Sequence, residues 1–168
     1  GPLPAPPVPT GPDLPVYTIL VPLRHEAHMV RQLLYGLDRL EWPRERLDIK
    51  LIIDEDDAVT HGAARALAGE PPYEIVVHPP GGPQTKPMAL QYALSFARGE
   101  FVTVYDAEDR PHPGQLAEAF AIFRKAPQRL ACLQAPLVID NPEKSKIAAL
   151  FAIEYSTLFD GLLPALVA

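Results

Sequence analysis

Val16-Tyr17-Thr18-Ile19-Leu20-Val21-Pro22-Leu23-Arg24-His25-Glu26-Ala27-His28-Met29-Val30-Arg31-Gln32-Leu33-Leu34-Tyr35-Gly36-Leu37-Asp38-Arg39-Leu40 changes its hydrophobic pattern once along its length. Val16 to Val21 form a β-branched and aromatic run ended by Pro22, the pattern of a buried strand. Met29, Val30, Leu33, Leu34, Leu37 and Leu40 then recur at three- and four-residue spacing, one face of a helix that Trp42-Pro43 ends. A strand followed directly by a helix is the repeating unit of an α/β fold.

The same alternation continues. Ile49–Ile53, Tyr73–Val77, Phe101–Tyr105 and Leu130–Ile139 read as strands. Thr60–Ala68, Lys86–Arg98, Gln115–Lys125 and Glu143–Phe159 read as helices. The third of the five helices carries Leu90, Ala93, Leu94 and Ala97 on one face, with Gly99 placed to end it. Such an order predicts a mostly parallel sheet with helices on both faces. Seven prolines crowd the first 15 residues, so 1–15 reads as a Pro-rich linker or tail and 16–168 as one α/β domain. The apolar ending Gly161-Leu162-Leu163-Pro164-Ala165-Leu166-Val167-Ala168 reads as a cut before a longer domain closes.

Bulk properties narrow the function. At 168 residues the chain can bury a single core. A net charge of −6 disfavours a nucleic-acid binder, which needs a basic face to neutralise phosphates. The single Cys132 lies in an apolar run and reads as a buried, inert thiol. No apolar stretch reaches the roughly 18 residues that a membrane-crossing helix needs. The five histidines lack metal-ligand spacing and read as surface or loop residues. Neither a phosphate-loop Gly-Lys-Ser/Thr string nor a Gly-x-Gly-x-x-Gly follows the first strand.

Open parallel sheets bind ligands beyond the carboxyl ends of their strands. Three polar clusters fall there: Arg24-His25-Glu26, Asp54-Glu55-Asp56-Asp57 and Asp106-Ala107-Glu108-Asp109. Three carboxylates within four residues repel one another unless a cation sits among them, and Mg²⁺ or Mn²⁺ prefers such oxygens. The same acids also suit a solvated turn before the helix at Gln115. Asp54 stands where a carboxylate can accept a hydrogen bond from a base or ribose, and Asp56 or Asp57 can cap the next helix. Lys86 opens a helix, an unfavourable place for a cation unless an anion such as a diphosphate binds there.

In this order the pieces resemble the family-2 glycosyltransferases of GT-A fold, especially their membrane-embedded, processive, cellulose-synthase-like branch. Thr18-Ile19-Leu20-Val21-Pro22-Leu23-Arg24-His25-Glu26 is similar to the family's opening strand and its Pro-x-Tyr/Arg-Asn-Glu ending, with His25 in place of Asn. Leu51-Ile52-Ile53-Asp54 resembles the strand whose Asp contacts uracil. Gln84-Thr85-Lys86-Pro87-Met88-Ala89-Leu90-Gln91-Tyr92-Ala93-Leu94 resembles the segment whose lysine reaches the diphosphate, with Gln91 in place of Asn. Asp106-Ala107-Glu108 takes the Asp-x-Asp place, and Leu133-Gln134-Ala135-Pro136 resembles the strand lining the acceptor side.

The resemblance implies an inverting enzyme that transfers sugar from a UDP-sugar donor to a glycan or lipid-linked acceptor with Mg²⁺ or Mn²⁺. Pro22, Arg24, Glu26, Asp54, Lys86 and Asp106 would bind nucleotide. Asp106 with Glu108 or Asp109 would bind metal, and Gln134 would face the acceptor. Neither the family's downstream acidic base nor its Gln-x-x-Arg-Trp segment occurs, so the base is expected beyond Ala168 and this portion binds donor without completing catalysis. The parent is expected at the cytoplasmic face of a bacterial inner membrane, through segments outside this chain. Two other classes share acids at strand ends. A receiver-like module needs its acidic pair after the first strand and its lysine after the last, and a nucleotidyltransferase needs a Gly-rich basic loop after the first strand. Neither order is present.

Overall fold

Strand β1, Tyr17–Leu23, is buried along nearly its whole length because neighbours pair on both sides. The computed structural model describes residues 14–82, 84–126 and 130–134. The chain divides into two compact units, Gly1–Lys125 and Ala126–Ala168. In the first, β1 is followed by α1 (Val30–Leu37), β2 (Leu47–Asp54), α2 (Ala58–Leu67), β3 (Tyr73–His78), α3 (Lys86–Leu94), β4 (Phe101–Val104) and α4 (Gln115–Lys125). The strands pair in the order β3-β2-β1-β4, all parallel. This is the expected α/β architecture, a parallel sheet with helices on both faces.

Alternation along the strands divides the core in two. Ile19, Val21, Ile49, Leu51 and Ile53 face α1, α2 and α4, meeting Leu33, Leu37, Ala64 and Leu116. Leu20, Ile52 and Val76 face α3, meeting Ala89 and Ala93. Full burial of each such Leu or Ile contributes about 1.5–3 kcal/mol. Around Tyr17 an aromatic cluster adds Trp42 at 5.0 Å and Phe101 at 5.3 Å, and the Tyr17 hydroxyl donates to the Leu116 carbonyl at 3.2 Å.

Several sequence expectations shift. β1 runs through Pro22, which pairs with Ile52. Leu20 accepts from Tyr105 on the β4 side, so Pro22, of the same parity, lacks its N–H on that side, where the β1–β4 ladder has already ended at Leu20 and Val104. α1 stops at Leu37, although Leu40 remains buried in the following turn. α3 stops at Leu94, four residues before Arg98, and buries Ala89 and Ala93 rather than Leu94, which is 50% exposed. Arg98 bends away to bond Asp48 through its backbone N–H, Nε and Nη2, so Gly99 ends no helix and its N–H donates to Thr18 Oγ1.

Asp48 also meets Lys50 at 2.9 Å, and Lys50 pairs in turn with Glu74. This buried polar cluster at the amino ends of the strands had no counterpart in the sequence pattern. Of the expected strand Leu130–Ile139, residues 130–134 form no strand and pair with no described neighbour, and 135–139 lie outside the described residues. Cys132 there is exposed rather than buried. The expected helix at 143–159 lies outside the described residues.

Candidate functional site

The strand order reverses direction between β1 and β4, and a cleft of about 280 Å³ opens at the carboxyl ends there. Of the sequence-derived candidates, Pro22, Arg24, Glu26, Asp54, Lys86, Asp106 and Glu108 all line it. Three strands and one helix deliver them. Pro22, Arg24 and Glu26 belong to β1 and the loop after it, Asp54 ends β2, Lys86 begins α3, and Asp106 and Glu108 follow β4.

The loop after β4 is fixed by alternation. Tyr105 and Ala107 turn into the core at 5% and 1% exposure, while Glu108 is exposed and Asp106 half-buried at the cleft. The Tyr105 hydroxyl donates to Gln115 Oε1 at 3.0 Å, and burial pushes its pKa well above the usual tyrosine value. Asp109 closes the turn instead of lining the cleft. Its Oδ2 accepts from the Asp106 N–H at 2.7 Å, and its own N–H donates back to the Asp106 carbonyl at 3.1 Å.

Lys86 forms an ion pair with Asp106 across the cleft. Thr85, which precedes α3, makes no capping side-chain bond, and among the described residues the cationic start of α3 is offset by Asp106. Asp106 and Glu108 offer carboxylate oxygens alone, the donor type of Mg²⁺ and Mn²⁺. Among the described residues no group of three or more His, Cys, Asp or Glu could hold a metal ion by itself. A cation here therefore needs ligand oxygens from a bound phosphate or water.

On the opposite wall, Asp54 is 8% exposed and crowded with donors. Arg24 Nε lies 3.6 Å from Oδ2, and the Gln84 amide, turned as its hydrogen bonds require, donates at 2.9 and 2.7 Å to Oδ2 and Oδ1. Arg24 also reaches the Gln84 carbonyl. Behind them His78 Nδ1 sits 2.9 Å from Asp54 Oδ1. His78 is 7% exposed, so the surface or loop reading of this histidine is corrected. It ends β3 opposite Asp54 in register, and the strand-end rule that singles out Asp54 applies to it equally. Sequence reasoning also passed over Gln84 and Thr85, whose only signal was their place beside Lys86.

Asp57 stays out of the cleft and caps α2, accepting from the Thr60 N–H at 3.1 Å. Its other oxygen accepts from the His25 N–H at 2.6 Å, holding that residue at a left-handed φ of 56°. Burial acts to raise the Asp57 carboxyl, but hydrogen bonds from Thr60 and His25 outweigh it and hold the pKa below the ordinary range. Gln134 is exposed and belongs to the second unit.

Known proteins resemble this chain in sequence or in fold. The chain is 26% identical over 101 residues to the probable glycosyltransferase YdaM of Bacillus subtilis, spanning 59% of this chain and 24% of that protein. It is 28% identical over 133 residues to cellulose synthase 2 of Novacetimonas hansenii, 78% of this chain and 8% of that one. The chain thus spans under a quarter of the length of these relatives. The mannosyltransferase PcManGT of Pyrobaculum calidifontis, solved with GDP-Man and Mn²⁺, superposes with a TM-score of 0.60 at 26% identity, covering 73% of this chain and 36% of that chain. TarS of S. aureus, solved with UDP, superposes at 0.51 with 18% identity, covering 75% and 42%. The model of the family described as Glycosyltransferase like family 2 matches residues 12–158, and the protein belongs to that family.

Proposed function

We propose that this chain is the donor-binding part of an inverting, metal-dependent glycosyltransferase that takes sugar from a UDP-sugar. One observation carries the reading: Glu26, Asp54, Lys86, Asp106 and Glu108, from four separate segments, converge on a single cleft at the strand-order reversal. Asp54 on one wall suits an imide N–H of a base, and Lys86 opposite suits a diphosphate. Asp106 and Glu108 would hold Mg²⁺ or Mn²⁺, with Asp109 retained as the turn closure. The bound cation would offset charge on the leaving diphosphate. Lys86, released from Asp106 when the cation arrives, would contact the same phosphates.

In the parent enzyme the acceptor hydroxyl of a glycan or lipid-linked sugar attacks the anomeric carbon as the bond to the diphosphate breaks, and a carboxylate base takes the proton. That base, the acceptor contacts of Gln134 and a membrane-anchored parent are parts of the same proposal. PcManGT, bound to a nucleotide sugar and Mn²⁺, supports the donor and metal classes. Calorimetry of the full chain with UDP should show binding that requires Mn²⁺ or Mg²⁺ and disappears in Asp106→Ala with Glu108→Ala. Binding that persists in the double variant would overturn the metal assignment, and binding of GDP in preference to UDP would overturn the choice of base.

A further inference from the structure

We propose that His78 is a positioning residue for nucleotide-base recognition: it locks the Asp54 carboxylate so that the cleft presents a fixed acceptor to the imide edge of a pyrimidine base. The inference rests on reading the cleft as a nucleotide site. Asp54 has donors of two kinds. Arg24 is more than half exposed and Gln84 lies at the cleft wall, so an entering ligand can displace either. His78 is buried beneath them, outside the cleft lining, and cannot be displaced from the cleft side.

The anchor is double. The His78 side chain meets Asp54 Oδ1 at 2.9 Å, and its backbone carbonyl accepts from the Glu55 N–H at 3.0 Å. The ring is itself held, packing edge-on against Tyr92 of α3 at 5.6 Å. A carboxylate accepts only, so Nδ1 carries the proton and donates. His78 engages Oδ1 from behind and Gln84 reaches both oxygens, which leaves Oδ2 with Arg24 and Gln84, the two partners an entering ligand can displace. An imide N–H such as that of uracil is a donor matched to this oxygen, whereas the corresponding ring nitrogen of cytosine is an acceptor and is repelled. Without His78 the carboxylate is free to turn toward Arg24 and Gln84, and base discrimination weakens before phosphate binding does.

The test measures UDP, CDP and inorganic pyrophosphate binding to the full chain with Mn²⁺, for the natural protein, His78→Phe and His78→Asn. Phe keeps the ring against Tyr92 without a donor, and Asn restores a donor near the Nδ1 position. His78→Phe should lower the UDP-over-CDP preference about tenfold, the scale of one hydrogen bond to a charged group, and leave pyrophosphate affinity unchanged. His78→Asn should recover most of the preference, and it remains informative if the Phe variant fails to fold. Equal preference in the natural protein and both variants overturns the positioning role alone. A uniform loss across all three ligands, unrescued by Asn, shows a purely structural histidine and also overturns it. A natural chain that binds neither UDP nor pyrophosphate overturns the nucleotide reading itself, and the proposal with it.

Discussion

Asp57 links two loops that must hold still for the cleft to keep its shape. It caps α2 through the Thr60 N–H and restrains His25, while the Thr60 hydroxyl accepts from the Glu26 N–H at 3.2 Å. Asp57→Ala should therefore lower stability by about 1–2 kcal/mol in chemical denaturation, the usual loss for an N-cap. It should also weaken UDP binding through Glu26, which sits one residue from His25. Asp57→Asn keeps one acceptor oxygen but sets its amide NH2 against the second donor and loses the charge, so its stability at neutral pH should lie between those of the natural protein and the Ala variant; an Asn variant as unstable as the Ala variant would mean that capping is not the role. The cap was legible in the sequence because it is a local rule, a carboxylate three residues before Thr60. The His78 contact was not, since it depends on β2 and β3 being neighbours in a register that pairs Asp54 with His78.

Elements show the same division between local and long-range information. The apolar periodicity places α1, α2 and α4 and β1 to β4 within a few residues, because each is set by its own side chains. The end of α3 and the role of Gly99 are set by the sheet. A Cβ at Gly99 would stand 2.5 Å from the Thr18 nitrogen, 2.7 Å from the Val16 carbonyl and 2.8 Å from the Phe101 carbonyl, all backbone atoms that cannot swing aside. Gly99→Ala should cost at least about 1–3 kcal/mol in urea unfolding as β1 and β4 are forced apart. Gly62, inside α2, has nothing within 4 Å of its added Cβ. Gly62→Ala should instead stabilise by about 0.5–1 kcal/mol, the helix preference for Ala over Gly. Similar effects at both positions would refute the close approach at Gly99. The cleft candidates were legible for a related reason: the carboxyl end of a strand is fixed once the strand itself is found, whereas Gln84 and the turn-closing role of Asp109 depend on loop conformation.

Across the molecule, acids at the two ends of the sheet do opposite jobs. At the carboxyl ends Asp106 and Glu108 are open to ligand, and at the amino ends Asp48 is fully buried with Lys50 and Thr18 and is bonded by the exposed Arg98. Burial acts to raise the Asp48 carboxyl, but bonds from Lys50, Arg98 and Thr18 outweigh it and hold its pKa below the ordinary value, as happens for Asp57. The sign of the pH dependence follows. The unfolded chain, with carboxyls near about 3.9, takes up protons before the folded one does, so acid favours unfolding. Stability from both groups should be complete above that value, decline as the pH falls through it, and be fully lost only below the lower folded values. Asp57→Asn, which caps without titrating, removes one of the two. Its stability should fall with pH less steeply than that of the natural protein, by up to about 1.4 kcal/mol per pH unit within that window. Chemical denaturation between neutral and strongly acidic pH measures both slopes. Parallel slopes would show that Asp57 has the same proton affinity folded and unfolded, and that its hydrogen bonds to Thr60 and His25 add no charge-dependent stability.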